Sequence, residues 1–208
     1  MVELSDLIFT IRSAINDSKF TESFVLSSTK KLSSIGYQYD HATFPALEGT
    51  SFFKDESGDT PHNLAEALLW KLGKWKSYKT FCKHFTDDAA GPSSSNMVFY
   101  AYAKHLKDKK NPIYDQHAMR AIWAIFENLS HEEHLSCKNM LVMKDGTWKQ
   151  TGSGKNTIKC YQIFVNRMNA LETMGASKEA IDKLLMPLGK AIKKNTKNYK
   201  DLCILCGW

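Results

Sequence analysis

"NPIYDQHAMRAIWAIF", Asn111 to Phe126, is the stretch on which the reading of this chain turns. Met119, Ile122, Trp123 and Phe126 recur at helical spacing, the pattern of an amphipathic helix. Asn111 stands before Pro112, and the residue before a proline is pushed out of the α region. The preceding helix therefore ends there, and Asp115 opens a new one with His117 close behind. Aspartate is a favoured N-cap. Glu or Gln at the N3 position would complete a capping box, but Ala118 is there. The helix dipole favours a charged carboxylate at this place. Such a carboxylate can also stabilise a cationic sugar and orient or deprotonate a water. Asp115 thus has two readings, cap or catalyst.

The helical period extends outward from this stretch over nearly the whole chain. Leu4, Leu7, Ile8, Ile11 and Ile15 form a first stripe, and Phe20, Phe24 and Val25 open a second segment. A long Gly-, Pro- and aromatic-rich connection is expected from Gly36 to Pro61. A helix with Leu64, Leu68, Leu69 and Leu72 on one face follows, then a short segment around Tyr78 to Phe85. After the turn "TDDAAGPSSSN" comes a helix with Val98, Ala101, Tyr102 and His105 on one face. Tyr161, Phe164, Val165, Met168 and Leu171 make a further stripe, and Ile181, Leu184, Leu185, Leu188 and Ile192 the last. No strand-period run of useful length occurs. The expected fold is all-α, a single domain over 1–208. Its possible lobes are 1–60 with 160–208 and 61–130, with 130–158 a polar surface excursion.

Several function classes recede. No apolar run approaches the ~18 residues that span a bilayer, and the acidic N-terminus lacks the basic start of a signal peptide. A soluble, cytoplasmic protein with no membrane partner is expected. The five cysteines are odd in number and scattered, which argues against a disulfide framework. Cys203 and Cys206 form a lone C-x-x-C without a second pair, so no metal and no cofactor is expected. "TGSGKNT" (151–157) resembles a phosphate loop, but Lys149 and Asn156 occupy the places of the required Gly and Ser/Thr. "HEEH" (131–134) spaces its histidines at i, i+3, where a zinc protease needs i, i+4; a polar helix end is the simpler reading.

The net charge is +6 and unevenly spread. Five lysines fall between Lys71 and Lys83, four between Lys104 and Lys110, and five between Lys190 and Lys200. Such blocks can attract a polyanion or merely solvate helices. The turn "GPSSSN" (91–96) opens a helix, and a helix N-terminus after a small-residue turn can bind phosphate through its backbone N–H groups.

In order and spacing these elements resemble the helix-hairpin-helix DNA glycosylase superfamily, most closely its 8-oxoguanine-glycosylase-like members. The resemblance rests on "IYDQHAMRAI", similar to that family's Val-Asp-x-His stretch, on "SSNMVFYA" (94–101) and on "EALLWKLGKW" (66–75). It covers roughly residues 62–128, with compatible helical spacing to about 195. It implies two helical lobes around a DNA and base cleft. It places Asp115 on the catalytic aspartate and His117 on a histidine that contacts a phosphate. Gly91, Pro92, Ser93, Ser94 and Ser95 fall on the hairpin that grips the DNA backbone. Bifunctional members carry a nucleophilic lysine where this chain has Asn96, so Schiff-base chemistry there is not expected. The hairpin also departs from the family's Leu-Pro-Gly-Val-Gly pattern.

A monofunctional enzyme is the expectation. A nucleotide would be flipped from double-stranded DNA. Asp115 would stabilise the oxocarbenium-like sugar and aid water attack, with Asn96 holding the water or a phosphate oxygen. Lys104 stands as a displaced amine. Tyr100, one turn past Asn96, is a candidate for the base pocket. Trp208 either stacks on a base or packs on the last helix. An oxidised purine and a bulky modified pyrimidine of phage DNA, the latter in antiviral defence, are both compatible substrates. A catalytically inactive DNA-binding module of the same fold is the alternative, and a helical interaction protein a third. A monomer is expected.

Overall fold

The computed structural model describes residues 3–38, 64–87, 91–93, 96–108, 110–149 and 157–208. Among them ten α-helices occur: α1 Leu4–Asn16, α2 Glu22–Ser34, α3 Leu64–Lys71, α4 Trp75–Thr86, α5 Met97–Lys107, α6 Gln116–Ile125, α7 His131–Leu141, α8 Thr157–Glu172, α9 Lys178–Asn195 and α10 Tyr199–Cys206. The protein is all-α, as its periodicity requires. The extended pairing among the described residues is limited to two isolated bridges, Val142 with Trp148 and Thr147 with Asn198.

α6 is the helix around which the rest is arranged. Every residue from Ala118 to Ile125 is buried, and a helix enclosed on all sides belongs to the centre of a core. Burying side chains the size of Met119, Ile122 and Ile125 is worth ~1.5–3 kcal/mol each. α9 packs most extensively on α6, α1, α7 and α8 cover its other sides, α2 packs on α9, and α10 on α1. Arg12, 3% exposed, ties three of these elements. Its Nε donates to the Ala124 carbonyl at 2.8 Å and its Nη1 to that of Cys206 at 2.6 Å. α3 packs on α4, α4 on α5, and α5 reaches the core through α8.

This packing alters the expected lobes. α6 lies inside 61–130 by sequence but shares one core with α1, α2, α8 and α9. The smaller unit is α3 to α5 alone. The surface excursion expected over 130–158 is also corrected. α7 starts with a full capping box between Ser130 and Glu133 and buries Ser136, Cys137, Met140 and Leu141. "HEEH" is its first turn. The buried residues sit at i, i+3 and i+4 but are outnumbered by polar ones, which hid the stripe. Trp148 follows within the same segment, buried, with Nε1 donating to the Thr196 carbonyl at 2.9 Å.

Two helix faces turn differently from their apolar pattern. In α3, Leu64 and Leu68 are exposed, as is Leu72 just beyond it, and Glu66 is buried, its carboxylate accepting from the Tyr78 hydroxyl at 2.8 Å. In α5, Met97, Ala101, Ala103 and Leu106 face inward while Val98 and Tyr102 face outward. The stripes of α1, α6, α8 and α9 are inward as expected. The connection expected over Gly36 to Pro61 lies, from residue 39 on, outside the described residues, as do residues 151–156 of "TGSGKNT". No helix among the described residues is long and apolar enough to cross a membrane.

Candidate functional site at the entrance of the central helix

The link from α5 to α6 is tied at both ends. Asn111 Nδ2 donates to the Lys104 and Asp108 carbonyls at 3.3 and 3.1 Å, closing α5. The Ile113 amide donates to Asp182 Oδ2 of α9 at 3.0 Å. Tyr114 is buried, its hydroxyl against the Met140 sulfur at 3.1 Å.

Asp115 is the N-cap of α6. Its Oδ1 accepts from the amides of His117 at 2.7 Å and Ala118 at 2.8 Å. Among the described residues no donor meets Oδ2, and that oxygen is not sealed from solvent. The carboxylate is therefore held by one oxygen and presents the other. Cap and reactive group are compatible roles in this geometry, because they use different atoms.

His117 is half-buried and turned toward α9. Its Nδ1 lies 3.3 Å from Arg120 Nη1. A guanidinium only donates, so Nδ1 accepts and the ring proton sits on Nε2. Burial lowers the His117 pKa, with Arg120 and Lys193 adding to the fall and Asp115 and the Gly189 backbone opposing it. The backbone of His117 meets α9 at Gly189. A Cβ there would stand 2.9 Å from the His117 Cα and closer still to its carbonyl carbon and oxygen. Only glycine admits this approach.

Arg120 is fully buried, its guanidinium 4.7 Å over the Trp148 ring. Its Nε and Nη2 have no partner among the described residues. Burial lowers its pKa to about 10, against the pull of Asp115, so it stays cationic at neutral pH.

An aromatic series leads from this entrance into the α3–α5 unit. Tyr114 meets Tyr161 of α8 edge-on at 5.3 Å, Tyr161 meets Tyr100 of α5 at 6.1 Å, and Tyr100 meets His84 of α4 at 5.4 Å. Lys104, the displaced amine of the sequence reading, lies over the Tyr100 ring at 5.7 Å. Tyr100 is thus joined to the Asp115 entrance through Tyr161. Sequence reasoning placed Tyr161 only in a core stripe; no sequence signal marks it as a bridge.

Asn96 is the N-cap residue of α5, as the "GPSSSN" turn suggested, but its side chain does not cap its own helix. Its Oδ1 instead accepts from the Ser93 amide at 3.0 Å. Gly91 and Pro92 are exposed and Ser93 is half-buried; Ser94 and Ser95 lie outside the described residues.

Trp208 stands apart from these groups. It packs on Trp123 at 5.7 Å, on His134 at 5.3 Å, and under the Arg12 guanidinium at 5.6 Å. Trp123 is eight residues beyond Asp115, about 12 Å along the helix axis. These partners belong to α6, α7 and α1, and the ring stays 41% exposed.

The positive charges divide by type. All three arginines are engaged in structure: Arg12 and Arg120 in the core, and Arg167 against Glu133 at 2.6 Å. Lys71, Lys74 and Lys76 of the α3–α4 region are exposed. Among the described residues no group of three His, Cys, Asp or Glu side chains converges as a metal site. Compared with protein-family models, curated proteins and solved structures, the chain matches none.

Proposed function

We propose that this chain is a monofunctional DNA glycosylase that flips a damaged or modified nucleotide from duplex DNA and hydrolyses its N-glycosidic bond. The observation that carries the reading is the divided carboxylate of Asp115. Oδ1 is spent on the α6 amides, while Oδ2 meets no donor among the described residues. A carboxylate so held needs no reorganisation to stabilise positive charge developing at a sugar C1′. It can also orient the attacking water. The exposed lysines supply the phosphate attraction, and Tyr100 and Tyr161 offer aromatic surface beside the entrance. Asn96 Nδ2 would meet a phosphate oxygen or the water, since its Oδ1 holds Ser93. The product is an abasic site. An oxidised purine and a bulky modified pyrimidine of phage DNA are the two substrate classes.

A second reading, a catalytically inactive DNA-binding module, draws on two facts. The His117 ring is held by Arg120 rather than displayed, and the Asn96 carbonyl oxygen is committed to its own turn. Base release from a panel of DNAs separates the two. The panel holds 8-oxoguanine, uracil, alkylated bases and phage genomes with hypermodified cytosine. Wild type should leave alkali-labile sites on one member. Asp115→Asn keeps an N-cap, so it should bind DNA and release no base. Release that survives this substitution refutes the role of Asp115. Strand breakage without alkali would instead bring in an amine such as Lys104.

A further inference from the structure

Asp182 is the one acid on the buried face of α9, 5% exposed. Its Oδ2 accepts from the Ile113 amide at 3.0 Å. Its Oδ1 has no donor among the described residues and is sealed from solvent. Burying a carboxyl with one hydrogen bond is costly, and an apolar side chain of similar size would avoid that cost. What the acid does here that an apolar residue cannot is hold an amide two residues before Asp115.

We propose that Asp182 is a positioning residue for Asp115: anchored in α9, it clamps the Ile113 amide and so sets where Tyr114 and Asp115 enter α6. The clamp itself is independent of the glycosylase reading; its consequence for base release rests on that reading. Two contacts from α9 flank the cap, Gly189 against His117 and Asp182 against the Ile113 amide. Together they bracket the Asp115 cap on both sides along the chain.

The surroundings of Asp182 favour its protonated form. Burial raises its carboxyl to about 7, Asp115 adds to the rise, and the Ile113 amide opposes it. Of the elements packed on α9, the α6 entrance supplies Asp115, with His117 and Arg120 further along. α2 supplies Glu22, which is bound at Ser177. α8 turns Lys159 and Arg167 toward Glu132 and Glu133 of α7. Asp115 is the charge that acts on Asp182, and it favours the protonated form.

Amide hydrogen exchange of the full chain tests the clamp. In Asp182→Ala the Ile113 amide should exchange about five- to tenfold faster, the loss of one hydrogen bond. The amides of Ile122 and Trp123 should keep their protection, which general destabilisation would not allow. Asp182→Asn offers the same acceptor without a charge and should restore protection at Ile113. Denaturant titrations from pH 5 to 8 give a second, independent readout. The folded-state pKa lies above the ordinary carboxyl value, so the folded protein holds a proton the unfolded chain releases. Stability is then full below about pH 4 and lost as pH climbs through about 7. Asp182→Asn should gain on wild type across that window; should Asp182→Ala not fold, Asp182→Leu, of similar size and without an acceptor, takes its place in the exchange test. Unchanged Ile113 exchange in Asp182→Ala overturns the clamp. An Asp182→Asn protein that loses stability relative to wild type as pH rises overturns the raised carboxyl of Asp182. On a DNA from which wild type releases a base, Asp182→Ala should lower kcat with DNA affinity kept, and Asp182→Asn should recover it. If wild type releases no base, the glycosylase reading falls while the exchange result still stands.

Discussion

Replacing Gly189 with alanine sets two effects of opposite sign against each other. Gly189 lies inside α9, where alanine is favoured over glycine by about 1 kcal/mol. Against this, the new Cβ would stand 2.9 Å from the His117 Cα and closer to its carbonyl carbon and oxygen. All three are backbone atoms of α6, so no side-chain rotation relieves the overlap. Overpacking costs ~1–3 kcal/mol where side chains can give way, and more where they cannot. The clash therefore wins, with a net loss of about 2 kcal/mol or more. For a chain of this length that is a fall in Tm of about 4–8 °C. Urea titration should show a lower midpoint with an unchanged slope. Lys190→Ala, one residue on and exposed, should leave the midpoint near wild type. The shift required of α6 also displaces the Asp115 cap, so base release should fall with stability. A Gly189→Ala protein as stable as wild type would refute the close α6–α9 approach and the placement of Asp115 built on it.

Further outcomes follow from the same geometry. Arg12→Ala strips donors from the Ala124 and Cys206 carbonyls; a loss of about 2–3 kcal/mol in denaturant titration is expected, and a loss under 0.5 kcal/mol would deny Arg12 its tying role. His134 Nδ1 accepts from Trp123 Nε1 at 3.0 Å, which requires an unprotonated nitrogen. Burial lowers the His134 pKa, with Lys138 and His131 adding to the fall. The stability it contributes is present above about pH 6.5 and lost as pH falls through the folded value. Measured in an Asp182→Asn background, which removes the opposing contribution, stability should drop from pH 7 to 5; a flat profile contradicts the assignment. Reversing Lys71, Lys74 and Lys76 to glutamate should weaken DNA binding and flatten its salt dependence, by about 0.9 per lost phosphate contact. An unchanged slope would remove the α3–α4 region from the interface.

Asp115 shows what a local pattern can carry. Its place before an apolar helical period, after a proline-containing link, is enough to make it an N-cap, because capping is settled within a few residues. The all-α class was legible for the same reason, and so were the inward faces of α1, α8 and α9. α7 was not: its buried residues are few and its outer face densely polar, so the period is weak. α3 went further astray, since Leu64 and Leu68 face outward and Glu66 inward. An apolar stripe records which residues prefer burial, not which side a neighbour covers.

By itself, then, the sequence determined the helices, their main breaks and the cap at Asp115, all consequences of interactions a few residues long. The tertiary structure alone decided that α6 is central and that Gly189 admits the His117 carbonyl. It also decided that Asp182 reaches back 69 positions to Ile113 and that Tyr161 joins Tyr100 to Tyr114. Helical period reports a direction around one axis. Which axis lies opposite, and at what height, is settled only when the helices pack.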